Sequence, residues 1–200
     1  MSKFLQQTPI ILASGSINRQ QLLKDVGLEF DIQLSHVDED AIKAVFEGDD
    51  WEALALQLAE QKAMVVTKDN TNHTIIAADQ LCVLNHRIYD KPLTHERAVH
   101  QLSQLNGHTH QLLTAVCLAQ DGQVIWRHVE PINLTMRPLT QEAIEHYVST
   151  AKPLNSCGSY HYESMGQWLF ESVSGQESTI VGLSMMALLN ALIQFNIVTI

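Results

Sequence analysis

One stretch constrains this chain more than any other. Ile75-Ile76-Ala77-Ala78 and Leu81-Cys82-Val83-Leu84 would form a single buried strand if Asp79 did not interrupt them. A carboxylate in such surroundings is costly unless it is ionised beside a metal or another cation, or shifted in pKa. It could instead bend the chain and bind its own backbone amides. A strand of this kind needs covering layers, and the flanking sequence supplies them. A short apolar run, Pro9-Ile10-Ile11-Leu12-Ala13, reads as a second strand and leads through Ser14-Gly15-Ser16 into a helix ending before Gly27.

Further along, the spacing predicts a strand over 30–34 and an acidic turn at Asp38-Glu39-Asp40. A long helix follows, capped by Asp49 or Asp50 and running to about Val66. The strand over 74–84 closes in a hairpin at Asn85-His86, and Thr94 caps a helix ending at Asn106-Gly107. Two strands joined at Asp121-Gly122 come next, then a helix capped by Thr140, a strand over 168–173, and a helix from Ser184. Strands alternate with helices and also pair as hairpins, which predicts an α/β fold with a mixed sheet in a single domain over 1–200.

Composition narrows the function. Twelve Lys and Arg against 22 Asp and Glu give a net charge of −10. That balance argues against a partner built on a nucleic-acid backbone, though not against a single nucleotide held by a few local cations. No membrane span is expected, since no apolar run reaches the required ~18 residues. Met1 to Gln7 shows no basic segment followed by an apolar one, and Cys82, Cys117 and Cys157 form no C-x-x-C pair. A reduced, cytoplasmic setting is the expectation.

Lys62 is the second interruption. Counting about 100° per residue from Trp51, Leu54, Ala55, Leu58 and Val65 share a stripe, and Lys62 falls inside it. Its stem either snorkels past apolar neighbours or its ammonium meets an anion. Ser14-Gly15-Ser16 offers small residues and free amides at a helix start, which suits a phosphate, or is simply an N-cap. Arg19, one turn in, adds a planar fork. Lys91 before Pro92 is either a further cation of the same site or a solvated loop charge.

Other patterns fail. Walker and Rossmann glycine motifs are absent, as is G-x-S-x-G. His95 and His100, five residues apart, do not share a helix face as zinc-protease ligands do. His108 and His110 alternate along a strand and read as surface histidines.

Taken together these residues resemble the Maf family of nucleoside triphosphate pyrophosphatases. Leu12-Ala13-Ser14-Gly15-Ser16-Ile17-Asn18-Arg19 is similar to its amino-terminal signature. The similarity continues in order through Val37-Asp38-Glu39, Ala59-Glu60-Gln61-Lys62-Ala63, Ala78-Asp79-Gln80, Asp90-Lys91-Pro92, Leu105-Asn106-Gly107, Gly158-Ser159-Tyr160 and Val181-Gly182-Leu183. Within the family, residues 79–84, Glu130-Pro131 and Glu163 most resemble the YceF-type subgroup, whose substrate is 7-methyl-GTP.

The resemblance implies an elongated mixed sheet flanked by helices, with two lobes around a cleft, commonly dimeric. It implies hydrolysis of a nucleoside triphosphate to monophosphate and pyrophosphate with a divalent cation, Mg²⁺ or Mn²⁺. On the matching positions, Asp79 is the proton acceptor, and Arg19, Glu39, Lys62 and Lys91 complete the catalytic set. Glu39 and Asp79 would hold part of the metal, Ser14, Gly15 and Ser16 would meet phosphate, and Asn18, Gln80 and Glu163 would tune base choice. The chain departs from the family pattern at Ile17, where Pro is usual, at Gln20, where Arg is frequent, and at Asp90, where Gly is common. Asn18 replaces the subgroup's Trp and removes a stacking surface. A dTTP or UTP pyrophosphatase, or a non-catalytic nucleotide-binding regulator of cell division, are the alternatives.

Overall fold

The computed structural model describes residues 5–200. Its elements run β1 (Leu5–Gln6), β2 (Ile10–Leu12), α1 (Ile17–Asp25), β3 (Asp31–Ile32), α2 (Glu39–Val45), α3 (Trp51–Thr67), β4 (Thr74–Leu84) and β5 (Arg87–Ile88). They continue with α4 (His95–Leu105), β6 (Thr109–Gln120), β7 (Gln123–Met136), α5 (Gln141–Ala151) and 3-10 turns at Cys157–Ser159 and Met165–Leu169. The chain finishes with β8 (Phe170–Val173), α6 (Glu177–Val181), α7 (Met185–Gln194) and β9 (Val198–Thr199). Local chemistry accounts for the boundaries. Ser16, Asp38, Asp50, Thr94 and Thr140 each cap a helix through the side chain. Asn85 and His86 adopt φ 51° and 59°, as do Asp121 and Gly122 at 48° and 77°, so two tight turns reverse the chain.

The α/β expectation holds. Seven strands form one mixed sheet in the order β3-β2-β4-β6-β7-β8, with β5 on β4. β2 pairs in parallel with β3 and β4, while β4–β5 and β7–β8 are antiparallel. By contacts the chain falls into two compact units. The first contains the described residues up to Asp79, Thr114–Glu130 and Gly182–Ile200, and the second contains Gln80–Leu113 and Pro131–Val181. Ile10, Leu12, Leu23, Ile76, Val116, Leu118 and Leu188 fill the core of the first unit. Leu102, Leu112, Leu134, Ile144, Val148, Tyr160 and Phe170 do so in the second.

Two expectations need correction. The acidic turn at 38–40 is the start of α2, because Asp38 accepts from the Ala41 amide at 3.0 Å and Glu39 and Asp40 favour the first helical turn. The strand over 30–34 shrinks to Asp31–Ile32. α6 and the β1–β9 pair were not foreseen; their two to five residues are too short to show a period. No described helix is long and apolar enough to cross a membrane.

Candidate active site

The buried face of α3 consists of Leu54, Ala55, Leu58, Ala59, Ala63 and Val66, each 0% exposed. Lys62 lies within that arc at 9% exposure, while Val65, expected in the stripe, sits at its rim and is 40% exposed. The lysine does not snorkel. Its Nζ lies 2.5 Å from Asp79 Oδ1 and 2.7 Å from Glu39 Oε1. Asp79 is 5% exposed, and β4 runs through it without a break, so the bend is not what this residue makes. The cation expected beside Asp79 is therefore the Lys62 ammonium. Removing such charges from water costs several kcal/mol per ion, and hydrophobic replacements of buried pairs are often no less stable. An ammonium on an otherwise apolar helix face, met by carboxylates from β4 and α2, is thus poorly explained as a stabilising device.

Glu39 reaches this cluster from the first turn of α2, a helix with no buried residue. Arg19 approaches from α1. Its Nη1 donates to the Ala78 carbonyl at 2.8 Å and to Ser14 Oγ at 3.2 Å, and its Nε donates to the Gly182 carbonyl at 3.0 Å. Ala78 directly precedes Asp79, so guanidinium and carboxylate are anchored on adjacent residues of β4. The Ser14–Ser16 junction is organised by the same bonds. Ser14 Oγ also accepts from the Ser16 amide at 3.3 Å, and Ser16 Oγ caps α1 by accepting from the Arg19 amide at 3.4 Å. Gly15 is exposed, and Asn18 stands half-buried in the first turn of α1. The first unit thus brings together Ser14, Ser16, Arg19, Glu39, Lys62 and Asp79.

Gln80, Lys91 and Glu163 belong to the second unit. Gln80 Nε2 donates to the carbonyls of Thr179 and Ile180 at 3.0 and 3.1 Å, while its Oε1 accepts from Cys157 Sγ at 3.6 Å. Those bonds orient its amide from the α6 side. Lys91 is exposed in the loop between β5 and α4. Glu163 is exposed as well. Burial first, and the Glu163 charge as a smaller cause, push the Tyr147 hydroxyl up to about 12.

Two residues escaped the sequence reading. Gly182, φ +130°, supplies the carbonyl that holds Arg19 Nε, and a Cβ there would lie 3.2 Å from that nitrogen. The block Val181-Gly182-Leu183 was its only signal. His110 is not a surface histidine: it is 1% exposed in the second unit, with Nε2 2.9 Å from the Tyr160 hydroxyl. Burial pulls its pKa down to about 4. Among the described residues no group of three or more His, Cys, Asp and Glu is placed to hold a metal. Glu39 and Asp79 converge as a pair.

The chain is also similar in sequence to known proteins. The Maf-like protein family matches residues 9–195. The chain belongs to the Maf family. A nucleoside triphosphate pyrophosphatase of Legionella pneumophila (strain Corby) is 44% identical to this Maf protein over 99% of each chain. A 7-methyl-GTP pyrophosphatase of Brucella abortus biovar 1 is 41% identical over 90% of this chain and 92% of its own. A dTTP/UTP pyrophosphatase of Desulforamulus reducens is 37% identical over 94% and 97% respectively. The Maf relatives thus include enzymes named for a modified purine and for pyrimidines.

Proposed function

We propose that this Maf protein hydrolyses a nucleoside triphosphate to the nucleoside monophosphate and pyrophosphate, and that 7-methyl-GTP is its preferred substrate. One observation carries the reading: a single buried lysine joins Asp79 and Glu39, with Arg19 anchored on the residue preceding Asp79. The relatives' names support the reaction class, and the similarity of residues 79–84 and Glu163 to the YceF-type subgroup supports the base.

Asp79 takes a proton from the water that attacks the α-phosphorus. The bond from that phosphorus to the bridging oxygen breaks, and pyrophosphate departs with the electron pair. Arg19 and Lys62 balance charge on the phosphates, which bring about four negative charges to an acidic protein. The hydroxyls of Ser14 and Ser16 hold the junction in shape, and Gly15 lets phosphate approach the backbone. Glu39 and Asp79 are oxygen donors of the kind a small divalent cation takes, one or two carboxylates with phosphate oxygens completing its shell. Such a cation supplies charge stabilisation to the departing pyrophosphate. From the second unit, the family resemblance adds Lys91 as a phosphate contact. The resemblance likewise gives base selection to Asn18, Gln80 and Glu163, and the Glu163 carboxylate suits a positively charged methylated purine.

The deciding experiment is pyrophosphate release from a panel of ordinary and methylated triphosphates, with and without divalent cation. The expected result is cation-dependent release, fastest with 7-methyl-GTP. Faster release from dTTP or UTP would move the chain to the pyrimidine reading, and tight binding without release would make it a sensor.

A further inference from the structure

Lys62 holds a position that the proposed chemistry needs for something else. Its ammonium lies 2.7 Å from one oxygen of Glu39 and 2.5 Å from one oxygen of Asp79. Divalent cations bind carboxylate oxygens at about 2.0–2.6 Å, so a cation bridging the same two oxygens would sit close to where Nζ sits now. We infer that the Lys62 ammonium is the resting occupant of the Glu39–Asp79 pair, that Lys62 and a divalent cation exclude one another there, and that the cation enters together with the triphosphate that draws Lys62 away. The inference rests on the reading of Glu39 and Asp79 given above, and extends it to the order of binding.

Three features support it. Among the described residues no third His, Cys, Asp or Glu joins this pair in a metal-holding group, and a bare cation would face the neighbouring Lys62 charge. A triphosphate changes both conditions, offering oxygens to the cation and an anion to the lysine. The groups can also part: the Lys62 head rides on a flexible four-carbon stem, and Glu39 stands on a helix with no buried residue. Asp79, fixed within β4, is the member that stays.

The test is binding of Mn²⁺ alone, followed by calorimetry and by the electron paramagnetic resonance signal of free Mn²⁺. Wild type is compared with Lys62→Met and Lys62→Gln, each checked for fold by circular dichroism and thermal melting. Lys62→Met should bind Mn²⁺ at least about tenfold more tightly than wild type, because the competing charge is gone. Lys62→Gln, which keeps donors to both carboxylates, should fall between them. Adding Asp79→Asn to Lys62→Met should abolish the gain. In wild type, inorganic tripolyphosphate should raise Mn²⁺ uptake beyond what it sequesters in solution.

Folded Lys62 variants that bind Mn²⁺ no better than wild type would overturn the inference. Should neither variant fold, wild type decides alone: equal Mn²⁺ affinity with and without tripolyphosphate sinks the idea. The underlying reading fails differently, by pyrophosphate release that continues at full rate in chelator.

Discussion

Gly182→Ala tests whether the Arg19 fork works from one fixed position. The backbone at Gly182 has φ +130°, a conformation that L side chains rarely adopt, so alanine brings strain on the order of 1–3 kcal/mol. Its Cβ would also lie 3.2 Å from Arg19 Nε, closer than ordinary packing, and 3.5 Å from Cγ, in ordinary contact. Arg19 cannot simply swing away, because Nη1 is bonded to the Ala78 carbonyl at 2.8 Å and to Ser14 Oγ at 3.2 Å. A forced shift of a few tenths of an ångström therefore bears on the guanidinium itself. A full 1 Å misplacement costs about 10²-fold, so a loss near tenfold in kcat/KM, about 1.4 kcal/mol, is expected. Urea melts would report the strain, and steady-state pyrophosphate release would report the misplacement, separated into KM and kcat. A double-mutant cycle then isolates the route. In an Arg19→Ala background, Gly182→Ala should still destabilise the fold yet cost no further activity. Equal losses of kcat/KM in both backgrounds would refute positioning through Arg19, and an inactive-site role for Arg19 would show as Arg19→Ala keeping wild-type kinetics.

Other outcomes follow from the same geometry. Asp79→Asn should lower kcat by ~10²–10⁴ while triphosphate binding, measured by calorimetry, persists; wild-type turnover would remove Asp79 as the proton acceptor. Glu163→Gln should narrow the kcat/KM ratio between 7-methyl-GTP and GTP, and an unchanged ratio would take Glu163 out of base selection. His110 gives a pH prediction. Burial lowers its folded-state pKa to about 4 from 6.5, so its neutral form is favoured in the fold. Its contribution is complete above pH 6.5 and is lost as pH falls from 6.5 to 4, roughly 3 kcal/mol in all. Urea melts across that window should show the decline in wild type, and His110→Gln should flatten it; parallel slopes would assign the decline elsewhere.

What the sequence revealed depended on contrast with a period. Lys62 and Asp79 were legible because each breaks a pattern that fixes its burial: α3 repeats every 3.6 residues and β4 is apolar on both faces. The same logic could not find Glu39 as the third member, since an acid among acids contradicts nothing. The helix it starts, α2, buries no residue and so leaves no apolar trace. His110 was misread for a related reason. Alternation along β6 says which face a side chain takes, but not that Tyr160 and Phe170 close over that face from residues 50 and 60 positions away. Gln80 shows the limit from the other side. Its neighbours in sequence gave its subgroup likeness, whereas the carbonyls that orient it come from Thr179 and Ile180.

The charges of the first unit also bear on why these residues are arranged as they are. One ammonium against two carboxylates leaves the trio of buried Lys62 and Asp79 with half-buried Glu39 carrying an excess negative charge. Such a centre repels a bare triphosphate, even with Arg19 close by on the Ala78 carbonyl. On the inference above, it would become attractive when a divalent cation joins and Lys62 turns to the phosphates, which would give the carboxylates a new partner and the substrate two cationic side chains. On that inference, a resting enzyme built this way would have little affinity for phosphate-poor ligands. Discrimination against monophosphates then follows from electrostatics, because too few phosphate oxygens are present to hold both the cation and Lys62. The monophosphate product should therefore inhibit weakly and pyrophosphate more strongly. Product-inhibition constants in the reverse order would mean that the nucleoside, and not the phosphate chain, governs release.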